Sequence, residues 1–292
     1  IDDESCSYAP EHSGPDWHVQ DGGNDVSGNG SAEYPFASIQ HALNSSLDGG
    51  EIYVDAGTYY ENIIWPQDKI GLQLIGEDSE TTIIDGSNTD RVMNIQNTDE
   101  TSSISGFTLT NGFYDGGGVA GLYVATSDLT IEDIRIIGNT GGYGGVEVSN
   151  ASPHFKNVLI RDNIGEYAGG AFINGQWGFT HPIFENVTIV GNEIMDGSSY
   201  DDGGIGLQSN AQLTLVNSIV RDNTPWEIKT LDNTLLDISY TNIEGGIDDN
   251  FGITVEGDEV NWGTGNIDED PRFRDSENGD YRLFASSLCI NA

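Results

Sequence analysis

The chain has 292 residues, with 48 acidic against 10 basic side chains, a formal net charge of -38 and a pI of about 4.1. That length sets one or two domains, so few cations exclude nucleic acid and anionic lipid as partners, and no apolar run reaches the ~18–20 residues that cross a bilayer. Two cysteines, Cys6 and Cys289, cannot staple a disulfide scaffold or supply a Cys-rich zinc site.

The chain starts at Ile1 without a basic and apolar leader, so any signal peptide is expected to have been removed or to lie outside this sequence. Residues 1–34 read as a tail that ends in the loop DGGNDVSGNGS. Its Asp21, Asn24 and Asp25 are oxygen ligands of the kind Ca²⁺ takes, and an Asx-turn loop is the competing reading. Within 35–50, Phe36, Ile39, Ala42 and Leu43 fall at helical spacing and predict a capping helix.

From 51 to 250 the chain repeats. The segments SISGFTLTNG, TIEDIRIIGN, HFKNVLIRDN, IFENVTIVGN, TLVNSIVRDN and DISYTNIEGG align under one another. One column holds Ile104, Ile131, Phe155, Phe184, Leu215 and Ile238; another holds Leu109, Ile136, Ile160, Ile189, Val220 and Ile243. Successive copies lie 27, 24, 29, 31 and 23 residues apart. Each alternates apolar and polar with period two, which is a strand with one buried face. Strands in one orientation at this spacing, with no helix between them, wind as a parallel β-helix, one turn per repeat. Eight or nine coils at about 4.8 Å each make a rod of roughly 40 Å. Asp133, Asn157, Asn186 and Asn217 share one column and Asn139, Asn163, Asn192 and Asn223 another; both read as structural turns and ladders. Gly-Gly turns at 117–118, 144–145, 169–170 and 203–204 lead into a second strand. Residues 251–292 carry less repeat and read as an irregular coil and closure. The fold class is all-β, a single right-handed parallel β-helix domain with an N-terminal capping helix.

Between the strands, Tyr114, Tyr143, Tyr167 and Tyr200 precede the Gly-Gly turns, with Trp177 nearby. They form a stripe that stacks on sugar rings or packs as loop anchors. Asp201 and Asp202 in the longest loop add a second candidate for Ca²⁺. Cys6 and Cys289 lie near opposite ends of a rod too long for a disulfide's ~7 Å reach, so they are expected to be unbonded.

Residues 19–63 resemble the opening of secreted bacterial right-handed β-helix proteins of the pectate-lyase-like superfamily. The matching pattern is a glycine-rich Asp/Asn loop, then Pro35-Phe36, Ser38-Ile39 and Ala42, then Val54, Gly57, Thr58, Tyr59, Glu61 and Asn62. The ending GNIDEDPRFRDSENGDYRLFASSLCINA is similar to the group's closing motif, which suggests that a longer precursor continued past Ala292. The resemblance implies a secreted or cell-surface β-helix and is specific for fold rather than activity. The expected function is binding of an extracellular polysaccharide or surface glycan by a monomer; if the protein is an enzyme, a Ca²⁺-assisted lyase or epimerase is the first class. A non-catalytic adhesion or glycan-binding module is the alternative, and a tailspike-like hydrolase the third.

Lyase and epimerase chemistry needs the uronate carboxylate neutralised, a base for the C5 proton and an acid for the leaving oxygen. Arg161, Arg221, Tyr167 and His181 are the catalytic candidates. Arg135, Tyr114, Tyr143, Tyr200 and Trp177 are the substrate-binding candidates. Arg161 and Arg221 share a column with Val190 between them, and local pairing with Asp162 and Asp222 is the bland alternative. The Gly-His-Gly and Arg-Ile-Lys elements of polygalacturonases and the Arg-x-Pro-x-x-Arg element of common pectate lyases are missing. The charge imbalance opposes unaided binding of a uronate chain, so Ca²⁺ bridging, a saline or marine habitat with ~3–8 Å screening, or a neutral ligand is expected.

Overall fold

The computed structural model describes residues 11–195, 202–247, 252–256 and 259–290. Three parallel sheets of ten, eight and eight strands run along it. Each turn visits the first, second and third sheet in that order; one turn, for example, uses Thr130–Glu132, Arg135–Ile137 and Val146–Ser149. The result is a parallel β-solenoid of about eight turns with little helix, which fits the expected right-handed parallel β-helix. Among the described residues no helix is long and apolar enough to cross a membrane.

The apolar columns of the sequence are the stacked interior. Ile104, Ile131, Phe155, Phe184, Leu215 and Ile238 pair in that order in the first sheet. Leu109, Ile136, Ile160, Ile189, Val220 and Ile243 do the same in the second. All twelve are buried, and each such side chain stabilises the fold by roughly 1.5–3 kcal/mol.

The polar columns make the corners. Between the first and second sheets, Asp133, Asn157, Asn186 and Asn217 hold φ of 52, 52, 56 and 50°. That left-handed conformation is costly for most L-residues and is reached readily by Asn and Asp. Between the second and third sheets, Asn139, Asn163, Asn192 and Asn223 are buried and joined Nδ2 to Oδ1 at 2.9, 3.0 and 2.9 Å. Asn223 Nδ2 donates in turn to Glu227 at 2.6 Å, so a buried carboxyl ends the ladder. The next turn of the corner is a glycine column, because there backbones touch: a Cβ on Gly145 would lie 2.3 Å from the Gly170 carbonyl. In the first of these coils the corner is Ala120-Gly121, whose amides bond to the Tyr143 and Gly144 carbonyls. The expected turn at Gly117-Gly118 instead lies inside the strand Phe113–Val119. That strand pairs with Thr140–Tyr143, which is followed in order by Ile164–Ala168 and Glu193–Ile194, in a short fourth sheet standing at this corner.

The ends are closed as the amphipathic segment required. The capping helix is Ile39–Ser45, with Ile39, Ala42 and Leu43 buried and the Ser38 side chain accepting from the His41 amide. Two carboxylates tie it down. Glu61 accepts from the Ile39 and Gln40 amides at 2.8 and 2.9 Å. Asp25 accepts from the Ala37 and Ser38 amides at 2.8 and 3.1 Å and from the Ser38 hydroxyl at 2.7 Å. At the other end, Phe273–Asp275 and Asp280–Leu283 form an antiparallel hairpin. It lies back on the second sheet, with the Tyr281 ring 5.7 Å from the Arg161 guanidinium carbon.

Candidate functional site

The third sheet carries one outward column whose chemistry differs from the rest of the surface. Period-two alternation buries Val146 and Val148 and turns Glu147 out between them. Strand register then stacks Ile64, Asn94, Tyr123, Glu147, Phe172, Gly206 and Lys229 in one line. The short fourth sheet stands beside this line as a wall. Between them lies a pocket of about 410 Å³, lined among others by Asn62, Arg91, Asn94, Tyr114, Tyr123 and Glu147.

Arg91 is held there by shape and by rings. The Asn62 amide nitrogen donates to the carbonyls of Asp90 and Arg91 at 3.2 and 3.0 Å, and its oxygen accepts from Thr89 at 3.0 Å. The loop before Val92 is thereby fixed. The Arg91 guanidinium carbon then lies 4.5 Å from the Tyr114 ring centre and 5.0 Å from that of Tyr123. Among the described residues its guanidinium has neither an ion pair nor a hydrogen-bond partner. Glu147 likewise has no hydrogen-bond donor or ion pair among the described residues. Burial pushes the Glu147 carboxyl up to about 7, against the pull of Arg91. Burial and then the Glu147 charge raise Tyr123, with Arg91 again opposing.

The tyrosine stripe belongs to this groove. Tyr143 stacks on Phe172 of the outward column at 4.3 Å and 10° between planes, and Tyr167 lies 5.4 Å from Tyr143. Tyr114, Tyr143 and Tyr167 all sit on the short sheet; Tyr143 leans on the third sheet and Tyr114 on Arg91. Asp202 borders the same line: a Cβ on Gly206 would meet its carboxylate at 2.4 Å. Trp177 is 72% exposed on the loop after the third-sheet strand Ala171–Asn174. Tyr200 and Asp201 lie outside the described residues, as does Cys6; Cys289 is a free thiol that accepts from Asn242 Nδ2 at 3.1 Å.

The arginine candidates lie elsewhere. Arg161 and Arg221 do share a column through Val190, but on the second sheet, and Arg135 pairs with Leu159 in a different column. Each is occupied. Arg135 bonds Glu80 at 3.3 Å. Arg161 pairs with Asp162 and lies against Tyr281 of the C-terminal hairpin. Arg221 reaches Asp268 at 2.7 Å and Glu244 at 3.7 Å; Asp222, its sequence neighbour, is not the partner. His181 Nε2 shares a hydrogen bond with the Thr214 hydroxyl at 2.9 Å, near the first sheet. The catalytic set Arg161, Arg221, Tyr167 and His181 is therefore spread over different faces: Tyr114, Tyr143 and Tyr167 stand on the short fourth sheet and Arg135, Arg161 and Arg221 on the second sheet.

In the N-terminal loop, Asn24 Oδ1 accepts from the Val26 and Ser27 amides at 2.8 Å each, and Asp25 anchors the helix entry. Asp21 is exposed beside Gly57. Burial pushes Asp25 up, but the Ser38 and Ala37 bonds outweigh it and hold it below its ordinary value. Among the described residues no group of three or more His, Cys, Asp or Glu side chains is arranged to hold a metal ion.

Sequence reasoning missed Arg91, Tyr123 and Glu147. The signal was present in the triplets LYV and VEV, where one polar or aromatic residue sits between two buried ones. Aligning the third-sheet strands on the Gly-Gly corners 144–145, 169–170 and 203–204 puts Glu147, Phe172 and Gly206 in one column, but the corners before Tyr123 and Asn94 are Ala120-Gly121 and Arg91-Val92, so those two residues carry no Gly-Gly signal.

No protein-family model matches the sequence, and neither does any curated protein. Among solved structures the chain is similar to a pectin methylesterase from carrot, at 13% identity and a TM-score of 0.53, over 90% of this chain and 91% of that one. It is also similar to the pectate lyase Pel9A, at 16% identity and a TM-score of 0.54, over 95% and 91% of the two chains. At these identities the likeness establishes a shared β-helix fold.

Proposed function

We propose that this protein binds an extracellular polysaccharide along the third sheet, in the groove walled by the short fourth sheet. One observation carries the reading: in one pocket, an arginine against two tyrosine rings and a nearby carboxyl both lack an ion pair and a hydrogen-bond partner among the described residues. Ring faces on the groove suit the apolar faces of sugars. The guanidinium edge suits a sugar carboxylate, which it can bind through two parallel hydrogen bonds. Arg91 also answers the charge problem, because it places a cation where an acidic glycan would meet a strongly acidic rod. The fold neighbours named above, one a pectin methylesterase and one a pectate lyase, support a polysaccharide as the ligand class. A secreted or cell-surface location goes with this proposal.

The test is affinity electrophoresis against a panel of neutral and uronate polysaccharides. Retardation by a uronate polymer, lost in Arg91→Ala, is the expected result. Equal retardation of wild type and variant would refute the assignment of the groove. Catalysis is the second reading, and Glu147 favours it: a carboxyl held near neutrality can donate or accept a proton in the pH range where glycan bonds are processed. Incubation with the retained polymer, read at the absorbance of unsaturated products, tests the lyase form. Deuterium uptake from solvent into intact polymer tests the epimerase form.

A further inference from the structure

Glu147 and Arg91 pose a joint problem for any anionic guest. At the pocket, Arg91 is set against the carboxyl of Glu147 and that of the ligand, with Asp90 at the mouth. The surroundings decide how this is resolved. On the strand before Glu147 stands Tyr123, and beyond it Asn94. On the strand after stands Phe172, covered by Tyr143. Across the pocket are Arg91, Tyr114 and Asp90. Asp90 is exposed and accepts from the Arg91 amide at 2.7 Å, so it adds negative charge at the mouth. Nothing on this list supplies Glu147 with a second cation or a hydrogen-bond donor in the structure.

The rings of Tyr114 and Tyr123 lie close to the Arg91 guanidinium, and its edge donors have no acceptor among the described residues. A guest carboxylate taken up on that edge brings a like charge toward Glu147 in a half-buried site. Two carboxylates sharing one site cannot both ionise at low cost, and one of them takes a proton. The guest is an ordinary exposed sugar acid, whereas Glu147 is already destabilised as an anion by burial. Glu147 is therefore the group that takes the proton.

We infer that the groove takes up a glycan carboxylate on Arg91 together with one proton on Glu147, so that Glu147 gates binding by pH. This rests on the groove binding proposed above and adds its regulation. The carboxyl of Glu147 acts as a switch: neutral, it tolerates the guest; ionised, it competes with the guest for Arg91.

The experiment is isothermal titration of the whole chain with polygalacturonate and with alginate oligosaccharides, at pH 5.5, 7.0 and 8.5 and fixed ionic strength. Affinity is expected to be flat below neutrality and to fall about tenfold per pH unit above it, the slope for one linked proton. Glu147→Gln, which mimics the neutral carboxyl, is expected to bind with no pH dependence over this range. Titration of wild type at pH 8.5 in two buffers of different ionisation enthalpy is expected to show uptake of close to one proton, and this readout stands if the variant does not fold. Binding by wild type that is independent of pH, or without proton uptake, overturns the inference and leaves the groove reading intact. A pH dependence that persists in Glu147→Gln assigns the proton elsewhere and also overturns it. Failure of wild type to bind either polymer at any pH removes the inference together with its uronate ligand.

Discussion

Asn163 sits in the middle of the buried amide ladder, and Asn163→Ala is the sharpest test of how the coils are held in register. Its Oδ1 accepts from the Asn139 amide at 3.0 Å and from Asn139 Nδ2 at 2.9 Å. Its Nδ2 donates to the Ile136 carbonyl at 3.0 Å and to Asn192 Oδ1 at 3.0 Å. The substitution deletes all four bonds in a site closed to water. At about 1 kcal/mol per bond, and more where a buried group is left without a partner, the loss is roughly 4 kcal/mol. The control is Asn157→Ala in the exposed corner column, where the left-handed φ of 52° and one amide bond to Asn186 at 3.2 Å are at stake. That change is expected to cost about 1 kcal/mol, within the 1–2 kcal/mol range for an L-residue held in the left-handed region. Urea denaturation followed by circular dichroism measures both. Equal, small losses in the two variants would refute the claim that the ladder, as well as the corner conformation, sets the register.

Glu227 ends that ladder, and burial pushes its carboxyl up to about 8, with the Asn223 hydrogen bonds opposing and Glu244 and Asp222 adding to it. A carboxyl raised in the folded state stabilises fully below its unfolded value of about 4.5 and loses that contribution as pH rises through about 8. Thermal melts of wild type are therefore expected to fall between about pH 5 and 8, and Glu227→Gln is expected to flatten that decline; an unchanged slope in the variant would place the ionisation elsewhere. Because Arg91 supplies the positive charge of the groove, uronate binding is expected to survive EDTA. Loss of binding on chelation, restored by Ca²⁺, would instead assign the bridging charge to a cation and return attention to the acidic loop that contains Asp201 and Asp202.

The solenoid was legible because its cause is periodic. Ile104 through Ile238 and Leu109 through Ile243 are buried by the same geometry in every turn, so one alignment predicts them all. The asparagine columns were legible for the same reason, although their division into an exposed corner and a buried ladder was not. The site was harder. Tyr114 and Tyr143 stand out as loop aromatics, but their partners Arg91 and Phe172 come from neighbouring turns, 23 and 29 residues away in sequence, while Tyr123 sits on the next strand of Tyr114's own turn. Arg161 and Arg221 stand out in the sequence because cations are scarce in this chain. Arg221 depends on Glu244, one turn on in the repeat, and on Asp268, and Arg161 on the Tyr281 hairpin; Asp268 and Tyr281 lie in the C-terminal segment that carries little repeat signal. Glu147 looked like any polar residue on the outer face of a strand. Only the register that sets it between Tyr123 and Phe172 and opposite Arg91 distinguishes it.

The central claim is that a glycan lies on the third sheet. The most direct measurement is a crystal structure with a bound uronate oligosaccharide. Sugar rings are expected along the line from Asn94 through Tyr123 and Glu147 to Phe172, with a carboxylate on the Arg91 edge. An oligosaccharide seated instead on the second sheet, against Arg135, Arg161 or Arg221, would contradict it.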